Sequence, residues 1–137
     1  MKKFLKWLKA LFKCKKHNIN TNQHETLHYT TEEGKIINVI LKDKNVWLSQ
    51  KRMGELFGVE RNTITYHLKT VYKTGELSAK TTSRKFRLVR QEGGDEVNRN
   101  IQFYNLDAVI SAGYHVDSKK ATEFRTWANS ILKEICN

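Results

Sequence analysis

The stretch between residues 49 and 72 constrains the fold most, because two glycines four residues apart stand among apolar residues at helical spacing. Two helices packed at a steep angle around a tight turn need a small residue where they touch and a residue that tolerates positive φ in the turn. Gly54 meets the first need and Gly58 meets the second. The apolar anchors are Leu56, Phe57, Val59, Ile64 and Leu68. The pattern predicts a helix-turn-helix.

The second of these helices, predicted for residues 60–72, would present to a DNA major groove the side chains near its N-terminus and off its apolar face. Arginine pairs with guanine, asparagine pairs with adenine, and threonine or tyrosine can contact a base edge or a phosphate. We assign base reading to Arg61, Asn62, Thr65, Tyr66 and Lys69. The alternative is a helical hairpin of an unrelated α+β domain, in which Arg61 and Lys69 are merely solvated.

The first helix is expected to contact the DNA backbone rather than the bases. Gln50 and Lys51 stand at its start, where backbone N–H groups also point towards bound phosphates. We therefore assign both residues to contacts with the DNA backbone.

Positive charge is concentrated in two blocks, although the whole chain of 137 residues has a net charge of +11. Residues 1–17 carry seven lysines and no acidic residue, and residues 69–90 carry seven basic residues against Glu76. A clustered basic field attracts a polyphosphate or an anionic membrane surface.

The second basic block runs into a predicted β-hairpin. Residues 86–90 and 97–104 have the composition of strands, and residues 91–96 supply a turn rich in glycine and acidic residues. This hairpin would be a wing that lies along the phosphate backbone. Its predicted backbone contacts are Arg84, Lys85, Arg87 and Arg90. The alternative is a solvated basic hairpin.

Another hairpin and two helices complete the predicted domain. Residues 27–31 and 35–41 read as strands around a turn at residues 32–34. Asn105 would cap a short helix over residues 106–112 that Gly113 ends. Asp117 or Ser118 would cap a longer helix with one apolar stripe, which suits either the core or a dimer face. The stripe consists of Ala121, Phe124, Trp127, Ala128, Ile131, Leu132 and Ile135.

Residues 1–17 read as a cationic amphipathic helix, and residues 18–26 as a flexible linker. Lysines interrupt every apolar run in the helix, which disfavours a secretory signal peptide. Three uses remain open: binding to an anionic membrane surface, docking on the domain or on a second subunit, and nonspecific binding to DNA.

Two motifs resemble a known family. VWLSQKRMGELFGVERNTITYHLK and, after the hairpin, YNLDAVISAGYHVDSKKATEFRTWA resemble the RhuM family of virulence-associated proteins, and the latter half is similar to Bro-N and phage antirepressor domains. The resemblance covers about residues 27–136 and implies a DNA-binding regulator carried by mobile elements. His115 stands where relatives usually carry arginine, and the N-terminal helix is not part of the resemblance. The positions that match are Trp47, Gly54, Gly58, Ile64, Tyr104, Asn105, Asp107, Ser111, Gly113, Tyr114, Ser118, Phe124, Arg125 and Trp127.

The sequence indicates no catalytic, cofactor or metal site. It contains no phosphate loop, nucleophile elbow, zincin helix or dinucleotide fingerprint. Cys14, His17, His24 and His28 have suitable side chains for zinc, but the first pair lies on a lysine-dense segment and the second in the linker. Cys14 and Cys136 are expected to be free thiols, and no apolar run approaches the roughly 18 residues of a membrane span. We expect a cytoplasmic protein without enzymatic activity.

Together these observations predict an α+β winged helix-turn-helix domain over residues 27–136, preceded by the cationic helix and linker. We expect it to bind double-stranded DNA as a homodimer, in the role of a transcriptional regulator or an antirepressor-like factor. The alternative function is a membrane-surface or protein-interaction module that acts through residues 1–17.

Overall fold

The computed structural model describes residues 24–135, which form five strands and five helices. The strands are β1 (Glu25–Thr30), β2 (Ile36–Lys42), β3 (Asn45–Ser49), β4 (Ser83–Glu92) and β5 (Asp95–Asn105). The helices are α1 (Gln50–Phe57), α2 (Arg61–Lys73), α3 (Ala79–Thr82), α4 (Leu106–Val116) and α5 (Ser118–Ile135). The predicted α+β class is confirmed. The predicted N-terminal helix, with Cys14 and His17, lies outside the described residues.

All five strands join one antiparallel sheet in the order β1-β2-β3-β5-β4. Strands β3 and β5 are neighbours in the sheet but not in the chain. Between them the chain forms α1, α2 and α3 and then the edge strand β4. The first predicted hairpin is β1–β2, and β1 begins at Glu25, two residues before the predicted start of the domain. This topology places the helices at the base of the β4–β5 hairpin.

Strand β3 was not predicted. It follows β2 through a turn in which Asp43 and Lys44 both have positive φ, 52° and 58°. Such a two-residue turn normally carries glycine or asparagine, so its usual sequence signal is missing here.

The β4–β5 hairpin is longer and its turn tighter than predicted. Gln91 pairs with Glu96 and Glu92 pairs with Asp95, which leaves only Gly93 and Gly94 in the turn. Both glycines have positive φ, 58° and 85°, as a type I′ turn requires. The predicted six-residue turn over residues 91–96 is therefore wrong.

Apolar side chains fill both faces of the sheet. On one face, Val39, Leu48 and Tyr104 share a core with the helices, where Ile64 and Phe124 are fully buried. On the other face lies a small buried cluster of Ile40, Trp47, Phe86 and Phe103. The apolar stripe of α5 belongs to the first core, because Ala121, Phe124 and Ala128 are buried and Trp127, Ile131 and Leu132 pack against it.

Helices α1 and α2 are joined by the predicted tight turn. Gly58 ends α1 with a φ of 70°, and a Cβ on Gly54 would lie 2.7 Å from the carbonyl oxygen of Val59. The roles predicted for Gly54 and Gly58 are therefore confirmed. Ser49 caps α1 by accepting a hydrogen bond from the backbone N–H of Arg52 at 3.3 Å.

Helix α4 is longer than predicted. Asn105 caps it as expected and accepts a hydrogen bond from the N–H of Ala108, but Gly113 lies inside the helix, which continues to Val116. The prediction that Gly113 ends this helix is wrong, because a buried contact with Phe57 fixes that glycine. Asp117 then caps α5 through the N–H of Lys120 at 3.2 Å. No helix within residues 24–135 has the length and apolarity to cross a membrane.

Candidate nucleic-acid interface

A cleft of about 320 Å³ lies where the start of α1, the start of α2 and the β4–β5 hairpin meet. Its polar lining includes Ser49, Gln50 and Gln102. Among the residues of the described range 24–135 that line it, four are basic and none is acidic. The basic residues are Lys51, Arg61, Arg90 and Arg99. Several cations grouped in a concave surface concentrate positive potential and favour an anionic ligand.

Gln50 joins three elements at the floor of this cleft. Its Nε2 donates to the hydroxyl of Tyr104 at 2.9 Å, and its Oε1 accepts from the hydroxyl of Thr65 at 2.7 Å. The Nε of Arg61 lies 3.5 Å from the same Oε1. The side-chain amide predicted to contact a phosphate thus already has partners on β5 and α2, and it orients two residues of the predicted recognition helix.

The predicted base-reading residues lie on the outer face of α2. Arg61, Asn62, Tyr66 and Lys69 are exposed, and Thr65 is half-buried beside Gln50. Tyr66 leaves 66% of its surface exposed, which is unusual for so large an aromatic residue. The opposite face, with Ile64, Leu68 and Val71, is buried. The helix therefore presents its polar N-terminal half to the surroundings.

The residues predicted to contact the DNA backbone from the hairpin fall into two groups. Lys85, Arg87 and Arg90 are exposed. Arg84 is half-buried, with an ion pair of 2.6 Å to Asp43 and its guanidinium 4.9 Å from the centre of the Phe86 ring. Arg84 thus has a structural role in covering the second apolar cluster.

Sequence reasoning missed two arginines near the cleft. Arg52 lies half-buried over the ring of Phe103, at 5.4 Å from the ring centre. Burial, and then the charge of Arg90, lower the pKa of the Arg52 guanidinium below its usual range. Arg99, in the cleft lining, forms an ion pair of 2.9 Å with Glu92. Arg99 could have been found from the alternation of side chains between the two faces of β5. Nothing in the sequence indicated that Arg52 turns towards the sheet.

The histidines weighed as zinc ligands have other surroundings. His28 shares a 2.8 Å hydrogen bond with Asn38, and the ring of His24 packs edge-on against Phe86. Within residues 24–135, no group of three or more histidine, cysteine or acidic side chains is arranged to hold a metal ion.

Comparison with protein families gives one match. Residues 81–137 match the model of the Virulence protein RhuM family, a segment that includes β4, β5, α4 and α5. Neither a curated protein nor a solved structure matches the chain. The resemblance to the RhuM family predicted from the sequence is thereby confirmed over residues 81–137.

Proposed function

We propose that the protein binds double-stranded DNA sequence-specifically through a winged helix-turn-helix, and that it acts as a transcriptional regulator or antirepressor-like factor of a mobile element. The observation that carries this proposal is the cleft between the helix pair and the hairpin. Within residues 24–135, four basic side chains line it without an acidic one, and the exposed N-terminal half of α2 begins at its edge.

Helix geometry adds to the attraction for phosphate. Both α1 and α2 begin at the cleft, and a helix N-terminus offers unpaired N–H groups and a partial positive charge. Glu60, which precedes α2, makes no side-chain cap, so the first N–H groups of α2 are not occupied by it. A phosphate at this point would accept hydrogen bonds from the backbone as well as from Lys51 and Arg61.

The roles proposed for α2 and for the hairpin follow from the positions of their side chains. Arg61, Asn62 and Tyr66 project from the exposed start of α2, where a recognition helix contacts bases in the major groove. Arg90 and Arg99 line the cleft from the hairpin, which suits contacts with the backbone. Base contacts would determine the sequence preference, and the backbone contacts would fix the register.

A homodimer forms part of the proposal. One short recognition helix buries little surface, and two helices on paired half-sites supply the affinity and site length that a single copy lacks. Binding sites recovered by selection should then contain two related half-sites about one helical turn, ~10 base pairs, apart.

Selection of bound sequences from a random duplex pool, with the full chain, tests the proposal. We expect one motif to be enriched and then to bind at least about 10³ times more tightly than random duplex at physiological salt. If no motif is enriched and all duplexes bind equally weakly, sequence-specific DNA binding is rejected.

A further inference from the structure

A second basic cleft, of about 410 Å³, also lies at the hairpin and shares no lining residue with the first. It is formed along β4, the edge strand of the sheet, and reaches the end of β2. Four basic side chains and His24 surround Phe86, and the part of the chain that the structure describes contributes no acidic residue to the lining. The basic residues are Lys42, Arg84, Lys85 and Arg87.

The base of this cleft is rigid. Phe86 is buried and packs edge-on against Trp47 and Phe103. The guanidinium of Arg84 lies over both Phe86 and Trp47, at 4.9 and 5.7 Å from the ring centres, and its ion pair with Asp43 fixes it further. Charges held on a packed aromatic base lose little conformational entropy when they meet a ligand.

The rim of the cleft differs from the base. Lys85 and Arg87 alternate with Phe86 along β4 and are exposed, and neither forms an ion pair with a carboxylate of residues 24–135. Burial, and then the charges of Lys42 and Arg52, lower the pKa of His24 from its ordinary value of 6.5. Lys85 and Arg87 thus place two exposed positive charges at the rim of this cleft.

The chain itself indicates the class of ligand. Residues 1–17 carry seven lysines and no acidic residue, and His24, the first described residue, lines this cleft. Even fully extended, the seven residues between Lys16 and His24 let these two residues lie no more than about 30 Å apart. Charge repulsion opposes docking of that lysine-rich segment in a cationic cleft. An extended polyanion, in contrast, would be attracted both to the cleft and to the lysines.

We propose that this second cleft binds the phosphate backbone of duplex DNA that flanks the site read by α2. The inference rests on the proposed DNA binding and extends it. The first cleft holds the backbone at the recognised bases, and the second cleft, along the edge strand β4, continues the contact beyond them. Arg84, paired with Asp43, covers the aromatic base, and Lys85 and Arg87 supply the direct phosphate contacts.

The test compares two duplexes in titrations of the full chain at several salt concentrations. One is the shortest duplex that retains the selected site, and the other carries about one further helical turn, ~10 base pairs, on each side. We expect the wild-type chain to bind the extended duplex more tightly. The double variant Lys85→Gln/Arg87→Gln should lose that gain, and the slope of log K against log salt on the extended duplex should fall by about 2. On the short duplex the variant should lose much less affinity than on the extended duplex.

A charge-matched control is Lys35→Gln/Lys133→Gln, which changes two exposed lysines away from both clefts and should leave both affinities close to those of the wild-type chain. The inference is rejected if flanking DNA adds no affinity for the wild-type chain, or if Lys85→Gln/Arg87→Gln weakens both duplexes equally. In those cases the proposed recognition of the core site still stands. If the wild-type chain binds no duplex at all, the proposed function and this inference fall together.

Discussion

The ring of Phe57 on α1 packs directly on the backbone of Gly113 on α4. A Cβ at residue 113 would lie 2.7 Å from Cε1 and 2.9 Å from Cε2 of that ring, closer than real Cβ atoms approach. Phe57 and Gly113 are both buried. The helix pair that forms one wall of the first cleft is thus held against the C-terminal helices at a position where only glycine fits.

Gly113→Ala should therefore destabilise the protein, even though alanine favours a helix more than glycine does. We expect the free energy of unfolding in urea to fall by about 1 to 3 kcal/mol because the added methyl group overpacks the contact. Ser130→Ala, at an exposed position of α5, is the control and should change stability by no more than about 0.5 kcal/mol. The smaller side chain in Phe57→Leu/Gly113→Ala should recover part of the loss, and strictly additive losses would contradict the contact.

Gly54→Ala should disturb the turn between α1 and α2. The new Cβ would lie 2.7 Å from the carbonyl oxygen of Val59, a backbone atom that cannot move without shifting the turn. We expect a loss of stability of about 1 to 3 kcal/mol together with weaker DNA binding, measured by urea unfolding and by titration. Glu55→Ala, on the neighbouring half-exposed residue, should leave both nearly unchanged. Unaltered stability in Gly54→Ala would show that the two helices do not approach so closely.

The helix pair was predictable because its requirements are local. Gly54 and Gly58 are spaced for a helix contact and a left-handed turn, and Ile64 and Leu68 fall on one face. The hairpin strands and the cap at Asn105 were likewise visible from nearby residues. Glycine alone, however, does not distinguish a helix end from a helix interior packed on an aromatic ring, so Gly113 was misread.

The interior of the first cleft could not be predicted, because it depends on residues distant in sequence. Gln50 meets Tyr104 across 54 positions of the chain, a contact that follows from the pairing of β3 with β5. Strand β3 itself was missed because Asp43 and Lys44 give no glycine signal for its turn. Without β3, the sequence gives no reason to expect Gln50 at the base of the hairpin.

Gln50→Ala should reduce the discrimination between the selected site and random DNA more than it reduces overall affinity. Its side chain accepts from Thr65 at 2.7 Å and lies 3.5 Å from Arg61, so its loss removes one contact from each of two base-reading residues without removing a charge. We expect about a tenfold loss on the selected duplex, equivalent to roughly 1.4 kcal/mol, and little change on random duplex. The neighbouring Lys51→Ala, which removes a charge from the same cleft, should weaken both duplexes alike. An equal loss on both duplexes from Gln50→Ala would instead assign it a backbone contact.

Stability should fall as the pH drops from about 7.5 to 5. Burial, and then His115 stacked 5.5 Å away, lower the pKa of His67 from its ordinary value of 6.5. The unfolded chain therefore takes up a proton before the folded chain does, and this contribution to stability is full above pH 6.5 and is lost as the pH falls below it. In His67→Gln, the free energy of unfolding in urea should change less with pH across this range. His28→Gln, at a histidine exposed on β1, is the control, and an equally steep dependence in His67→Gln would contradict the assignment.

The most direct test of DNA recognition by α2 compares Arg61→Ala with Arg87→Ala. Both should be titrated at several salt concentrations against the selected site and against random DNA, in duplexes of equal length that extend beyond the site. Arg61→Ala should cost about 1 to 3 kcal/mol on the selected site, relax the preference at one base position, and have little effect on random DNA. Arg87→Ala should weaken both duplexes alike and reduce the slope of log K against log salt by about 1. Equal losses on both duplexes from Arg61→Ala would contradict the placement of α2 in the major groove.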